Sequence, residues 1–321
     1  MHQSDTCRVT VVVVPRERFS ESEASLESII EHTTFPHRLI YVDGNGPPAL
    51  RRHLEQRAAE VPFDLIRVDR YLSPNEARNI GLTRIDTEYV VFVDNDLIVT
   101  AGWLEALVER ADRCGAAVVG PLYFQGDPDE REIHMAGGDL SFEGEPGHRT
   151  LATTHRHQGE PLDDLATPLV AEPVDFVEFH CLLARTEVVR RLGMDERLLN
   201  TREHLDLCLD VVRDGGEVWF EPASQVTYST PPPLRRTDVA YFMVRWSEAW
   251  TASSLEHFCA KYELDPAYAE RAHIMRSRRQ LVFAPVRKVT RRALGERGDR
   301  AVGRGLRAAE RRVNQVVCRV P

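Results

Sequence analysis

The run Tyr89-Val90-Val91-Phe92-Val93 ends at Asp94-Asn95-Asp96, so an apolar strand stops abruptly on two carboxylates separated by one residue. A buried strand explains the run, and that burial makes the acid pair costly. Two carboxylates at the end of such a strand repel one another and lose hydration unless a cation or a set of donors compensates. A divalent cation carrying a phosphate ester does so, and hard oxygen ligands suit Mg²⁺ or Mn²⁺. The plainer alternative is a solvated strand-to-helix turn in which Asp96 caps the next segment.

Strand and helix signals alternate on both sides of this run. Val9–Val14 is rich in β-branched residues and predicts a fully buried strand. Further strands are expected at Arg38–Val42, Phe63–Val68, Tyr89–Val93 and Ala116–Val119, with helices over Ser20–Glu31, Ala49–Glu60, Pro74–Arg84 and Ala101–Cys114. The helix at Pro74 opens on Ser73-Pro74, an N-cap followed by proline at the first helical position. This alternation predicts an α/β layer with a mainly parallel sheet. Ligands of such sheets bind beyond the carboxyl ends of the strands, where Pro15-Arg16-Glu17, Asp43 and Asp94 fall. From Pro121 to Pro173 the pattern loosens to Gly, Pro, His and acids, with Gly138–Phe142 as its one β-like fragment, and loops over the site are expected there. A strand over Val174–Ala184, a helix over Glu203–Arg213 and a short strand over Glu217–Phe220 follow. Pro231-Pro232-Pro233 marks a boundary before an aromatic-rich helix over Val239–Tyr262. Tyr241, Phe242, Trp246 and Trp250 are expected to pack against the main body rather than to form a sugar platform.

The 321 residues, 42% hydrophobic, suffice for one large domain or one domain plus an appendage. A body over residues 1–230 is expected, with a nucleotide half over 1–120 and an acceptor half over 121–230, followed by a helical extension over 231–321. No run of about 18 apolar residues exists, and the polar start Met1–Arg8 does not resemble a signal peptide. The six cysteines are scattered without a Cys-x-x-Cys pair and read as reduced thiols, which together points to the cytoplasm. The net charge of −9 is uneven: residues 271–321 carry 15 Lys+Arg against three acids, and the remainder carries 26 against 47. A basic tail on an acidic body implies a separate role for the tail. Val282, Val286, Val289 and Ala293, then Val302, Leu306, Ala309, Val313 and Val316, recur at helical spacing between arginines. Two basic amphipathic helices joined near Gly295–Gly305 would fit an anionic membrane surface, or the acidic body itself, or a second copy in a homo-oligomer. Nucleic acid is excluded as a partner, because the acidic body would repel phosphates.

Three blocks, in this order, resemble a family 2 glycosyltransferase of the GT-A fold over roughly residues 8–230. They are Val9–Val14 with Pro15-Arg16-Glu17; Asn75-Glu76-Ala77-Arg78-Asn79-Ile80-Gly81 followed by Glu88 to Asp96; and Leu182 to Arg185 through Gly193-Met194-Asp195-Glu196 to Arg202-Glu203-His204-Leu205-Asp206-Leu207-Cys208-Leu209. The resemblance implies a nucleotide-sugar donor, UDP-linked foremost, a glycan or lipid-linked hydroxyl acceptor, and a Mn²⁺ or Mg²⁺ cofactor. Carried over by position, Pro15, Glu17 and Asp43 line the nucleoside pocket, and Arg78 approaches the base or diphosphate. Asp94 binds ribose or metal-bound water, and Asp96 binds the metal. Asp43 could instead only form the turn before Gly44, and Arg78 could pair with Glu76 or Asp86 on the helix surface. His180 and Asp206 are candidate acceptor contacts, with a core role open for His180 and an ion pair with Arg202 or Arg213 open for Asp206.

Two departures stand out. The family's usual general base is the Asp of a Glu-Asp pair, and here that position is His204. Either Glu203 is the base with His204 orienting the acceptor, which is the preferred reading because a metal-proximal carboxylate is the commoner device, or His204 is the base itself; Glu203 could also be only a first-turn acid that the helix dipole favours. Many relatives also place a metal-ligating His where this chain has Tyr228, so His180 or His204 could substitute. A metal-dependent, inverting glycosyltransferase of polysaccharide or glycoconjugate assembly is the expectation. A non-catalytic scaffold and a nucleotidyltransferase are the alternatives, the latter lacking its Gly-rich, Lys-containing loop.

Overall fold

The computed structural model describes residues 7–230, 233–268 and 276–317. Pro231, Pro232, Cys318 and the side chains of Val313 and Val316 lie outside the described residues. In chain order the elements begin with β1 (Val9–Val14), α1 (Ser22–His32), β2 (His37–Gly44), α2 (Pro48–Glu60), β3 (Asp64–Val68) and α3 (Pro74–Leu82). They continue with β4 (Tyr89–Asp94), β5 (Leu97–Val99), α4 (Trp103–Cys114), β6 (Val118–Gln125), β7 (Glu132–Met135), β8 (Gly138–Glu143) and β9 (Thr150–His155). Then come β10 (Glu172–Pro173), β11 (Cys181–Arg185), α5 (Thr186–Leu192), α6 (Glu203–Arg213), β12 (Val218–Tyr228), α7 (Val239–Arg245), α8 (Glu248–Tyr262), α9 (Arg276–Gln280) and α10 (Ala284–Val317).

The main sheet runs β10-β12-β6-β11-β4-β1-β2-β3, with β5 added to β12 and β7 to β6. β4, β1, β2 and β3 are parallel, β12 is parallel to β6, and β11 runs antiparallel between β4 and β6. Every residue of β1 and of β4 is buried, as strands covered by helices on both faces require. Val14 is in register with Asp94, so the loop after β1 and the turn after β4 leave the sheet side by side. α3 lies on β1 closely enough that a Cβ at Gly81 would stand 2.5 Å from Val12 Cγ1. That approach turns the inner face of α3, with Arg78, toward the end of β4.

Several elements differ from the sequence expectation. β6 runs through Pro121 to Gln125, and β12 runs through Pro222 to Tyr228. The register shift between Glu221 and Gln225 sits opposite Pro121, so the bulge absorbs the donors that the two prolines cannot supply. The strand expected over Val174–Ala184 is confined to Cys181–Arg185. Before it, Asp175 and Phe176 N–H donate to Gly138 O, and the Tyr123 hydroxyl bonds the carbonyls of Glu178 and Cys181, at 2.8 and 2.7 Å. These side-chain and loop partners take the place of a ladder. The loose stretch after Pro121 contains β7 and the β8–β9 hairpin. The helix expected over Val239–Tyr262 breaks at Trp246-Ser247, where the Ser247 hydroxyl accepts from Trp250 N–H and starts α8.

Tyr241, Leu255, Phe258 and Tyr262 of α7 and α8 share one hydrophobic core with the sheet, and Phe242 and Trp246 are buried too. In α10, Gly295 takes a non-helical conformation and kinks the helix. Part of the tail's charge is spent on the body and on itself, through Arg278–Glu17, Arg279–Glu248 and Arg287–Asp299. No helix among the described residues is long and apolar enough to cross a membrane.

Candidate active site

Asn95, between the two acids, fastens the turn after β4 to the loop after β1. Its Oδ1 accepts from Arg16 N–H at 2.8 Å, and its Nδ2 donates to Arg18 O and to Ser22 Oγ. The staple brings Arg16 and Glu17 over the end of β4.

Asp94 and Asp96 then meet different fates. Arg78 Nη2 donates to Asp94 Oδ1 at 3.1 Å, His180 Nδ1 lies 3.1 Å from Asp94 Oδ2, and Arg16 Nε stands 3.5 Å away. Burial pushes the Asp94 pKa up, but Arg16, His180 and Arg78 together hold it below the usual carboxylate range. Asp96 is fully buried, and neither of its carboxylate oxygens has a hydrogen-bond partner among the described residues. Burial, then the charges of Glu17 and Asp94, raise its pKa well above the ordinary value. Two buried carboxylate oxygens without partners among the described residues, at the mouth of a sheet, match the hard-oxygen donors that Mn²⁺ or Mg²⁺ takes.

Arg78 is fully buried, donates also to Asn75 Oδ1, and lays its guanidinium 3.7 Å from the centroid of the Phe179 ring. The surface pairs considered for it are taken by others: Arg70 binds Glu76 and Arg38 binds Asp86. Glu17 is buried, accepts from Tyr228 Oη at 3.1 Å, and pairs with Arg278 at 2.9 Å. Tyr228 thus bonds Glu17 and stacks on His180, ring centroids 4.1 Å apart. The Pro15 carbonyl accepts from the Tyr241 hydroxyl at 3.3 Å. Asp43 closes its turn by accepting from Gly46 N–H at 2.7 Å and also pairs with Arg67. Beside that turn lies a cavity of about 390 Å³ lined in part by Phe19, Gly46, Arg67 and Tyr71.

Glu203 and His204 lie in the first turn of α6. Glu203 pairs with Arg245 at 3.3 Å and stands 3.9 Å from Arg16. Burial raises its pKa, but Arg245, Arg16 and Arg78 outweigh it and the net shift is downward. His204 Nδ1 is 3.4 Å from Glu178 Oε2. Burial lowers its pKa to about 4 against the opposing charges of Glu178 and Glu203, so the ring is neutral at neutral pH. Asp206, three residues on, turns to α8, where Lys261 Nζ lies 2.7 Å and Tyr262 Oη 2.8 Å from its Oδ1. Those partners, rather than Arg202, Arg213 or the acid pair, hold it.

The structure therefore gathers Glu17, Arg78, Asp94, Asp96, His180 and Glu203 around the ends of β1 and β4, with His204 alongside, Asp43 at the neighbouring strand end, and Asp206 turned away. Sequence reasoning placed Arg16 at the strand end without giving it a role, and it missed Glu178, Arg245 and Arg278 as members of this network. Only Glu178 left a signal, as an acid inside the apolar run Val174–Leu183.

The sequence model of glycosyl transferase family 2 matches residues 10–193. The chain belongs to that family. The match ends before Glu203 and His204, and it contains both blocks that build the β1 and β4 ends. Among similar proteins, the pre-mycofactocin glycosyltransferase of Mycobacterium tuberculosis is 26% identical over 163 residues, covering 50% of this chain and 31% of that protein. Polypeptide N-acetylgalactosaminyltransferase 4 of Mus musculus is 26% identical over 233 residues, covering 68% of this chain and 38% of that protein. The chain thus spans about a third of the length of these curated relatives. The crystal structure of GalNAc-T7 with UDP, GalNAc and Mn²⁺ superposes with a TM-score of 0.55 at 15% identity, covering 84% of this chain and 58% of that one. The family member described here has the GT-A fold: a mostly parallel central sheet flanked by helices, with helices at its C-terminal end.

Proposed function

We propose that the chain is a metal-dependent, inverting glycosyltransferase that moves a sugar from a nucleoside-diphosphate donor to a hydroxyl acceptor. The observation that carries this is Asp96, whose two buried oxygens lack partners beside the paired Asp94. Residues 1–120 would form the donor half, 121–230 the acceptor half, and 231–321 an extension.

Asp96 would hold Mn²⁺ or Mg²⁺, and the bound ion would neutralise the diphosphate charge that grows as the sugar departs. Arg78 and Asp94 would position the donor, with Pro15, Glu17 and Asp43 shaping the nucleoside side. UDP is the first donor class to test, because the GalNAc-T7 structure contains it. The acceptor oxygen attacks the anomeric carbon, the bond from that carbon to the diphosphate oxygen breaks, and the acceptor proton passes to a base on the opposite face. Of the two candidates, His204 suits the task better. It is neutral, and Glu178 at 3.4 Å steadies its Nδ1 side. Glu203 is committed to Arg245 and Arg16, which lower its basicity. His180 and Asp206 remain candidate acceptor contacts, His180 through Asp94 and Asp206 only if the Lys261 pair opens.

The acceptor is proposed to be a glycan or a lipid-linked hydroxyl compound. On α10, Val286, Val289 and Leu294 are 45%, 67% and 59% exposed among arginines, which supports docking of the tail on an anionic membrane surface at the cytoplasmic side.

Calorimetric titration with UDP, GDP and dTDP, each with and without Mn²⁺, tests the reading. Metal-dependent binding of one nucleotide, lost in Asp96→Ala, is the expected result. No binding of any of them would leave a non-catalytic scaffold.

A further inference from the structure

A cluster of imidazoles lies beside the acid pair, and two of its members, His134 and His155, have no place in the transfer chemistry above. His134 comes from β7, His155 ends β9, and Glu178 sits in the irregular segment before β11. One nitrogen or oxygen from each lies within 4.8 Å of the others. His180 and His155 flank His134, with ring centroids 5.5 and 5.6 Å away.

We propose that His134, His155 and Glu178 form a second metal site, separate from Asp96, that takes a transition ion of the Zn²⁺ class. Two imidazoles and one carboxylate are a donor set that Zn²⁺ and its neighbours accept and that Mg²⁺ does not favour. In a tetrahedral site with bonds of about 2.1 Å the ligand atoms stand roughly 3.4 Å apart, so modest side-chain rotations close the observed spread. His155 Nε2 and Glu178 Oε1 are already 3.5 Å apart. That is longer than the ~2.7–2.9 Å of a charge-assisted hydrogen bond and close to the edge of a coordination tetrahedron.

The surroundings orient the ligands. Gln125 Nε2 donates to the Glu132 carboxylate, which fixes the amide and turns its Oε1 to His134. His134 Nδ1–H therefore donates to Gln125 Oε1 at 3.0 Å and leaves the Nε2 lone pair free. The contact of His155 Nδ1 with Gln158 Nε2, at 3.5 Å, is too long to hold the opposite tautomer. A bound ion would tie the β8–β9 hairpin to the sheet and to Glu178, whose second oxygen faces His204.

The proposal stands apart from the glycosyl-transfer reading, and its test needs no activity. Wild type, Asp96→Asn, His155→Ala and Glu178→Gln are dialysed against Zn²⁺, desalted and analysed for metal by mass spectrometry, with circular dichroism to check the fold. Wild type and Asp96→Asn should retain about one equivalent, and the other two should bind ~10-fold or more weakly with unchanged secondary structure. Co²⁺ in place of Zn²⁺ should give a visible absorption band that Glu178→Gln, the isosteric variant, abolishes. Retention of no Zn²⁺ by wild type overturns the proposal. So does equal retention by Glu178→Gln, or loss only in Asp96→Asn.

Discussion

Asp96→Asn should make the metal-free protein more stable. Both Asp96 oxygens are buried without partners, and burial, Glu17 and Asp94 raise the pKa of the group. An acid whose pKa is higher in the folded chain keeps a proton that the unfolded chain has released. Above the unfolded value of ~3.9, stability therefore falls as pH rises, by ~1.4 kcal/mol per unit, until the folded pKa is passed. At pH 7 the loss cannot exceed about 4 kcal/mol, whatever the folded value. Asparagine keeps the shape and removes the titration. It leaves an unsatisfied amide, a cost of ~1–3 kcal/mol that a protonated, unpartnered carboxyl carries as well. A net gain of ~1–3 kcal/mol is expected near pH 7.5, shrinking toward zero near pH 4. Urea unfolding of both proteins in EDTA, at pH 4.5 and 7.5, measures it. With Mn²⁺ and UDP at 1,000 times their dissociation constant the order should reverse, because wild type gains ~4.1 kcal/mol by linkage and the variant gains none. If the variant is the less stable protein in EDTA at pH 7.5, or if the two stabilities run parallel in pH, Asp96 has partners after all and the reasoning fails.

Arg245→Ala strands Glu203 in a pair that is 0% and 2% exposed, and should cost ~3–5 kcal/mol in urea unfolding. Because the Glu203 pKa is lowered in the fold, that stability is present above the unfolded value of ~4.3 and is lost as pH falls through the folded one, so the gap to wild type should narrow in acid. Gly81→Ala puts a Cβ 2.5 Å from Val12 Cγ1, so a loss of ~1–3 kcal/mol is expected despite the better helix former, with part recovered in a Val12→Ala background; thermal melts of the three proteins decide it. His204→Gln should lower kcat/KM by ~10²–10⁴. The acid limb of the wild-type pH–rate profile should fall near pH 4, and Glu178→Gln should move it lower, because the Glu178 charge opposes the downward shift of His204.

What the sequence shows about the fold is carried by elements whose signals are local. β1 and β4 are runs of β-branched and aromatic residues, and α3 starts at the Ser73 cap, which accepts from Glu76 N–H ahead of Pro74. The first residues of β6 and β12 are expected, but their continuations past Pro121 and Pro222 escape because prolines look like strand breakers, and only the pairing of the two strands shows a bulge that tolerates them. The segment before Cys181 looks like a strand because it is apolar, yet its carbonyls are taken by a tyrosine hydroxyl from β6. Site partners follow the same division. Asp94, Asp96 and Arg78 stand in one contiguous pattern, whereas Arg245, Arg278 and Glu178 reach the site through tertiary packing that no spacing encodes. Asp206 shares a helix face with Glu203, but Lys261 and Tyr262 decide which way its carboxylate turns.

The two acids at the end of β4 have the same side chain and stand one residue apart, yet the fold divides the work between them. Asp94 is the last residue of β4, where its N–H still donates to His180 O and its carboxylate faces the inner side of α3. It gathers Arg78, Arg16 and His180, so its charge is neutralised by the protein itself. Asp96 lies past the turn that Asn95 fastens, where the charges that act on it most strongly are the acids Glu17 and Asp94. Among the described residues no donor hydrogen-bonds its carboxylate. One acid satisfied internally and one left open is the arrangement that supports the proposed cation role for Asp96 in particular, a distinction that a pair of equally exposed or equally paired carboxylates would not offer.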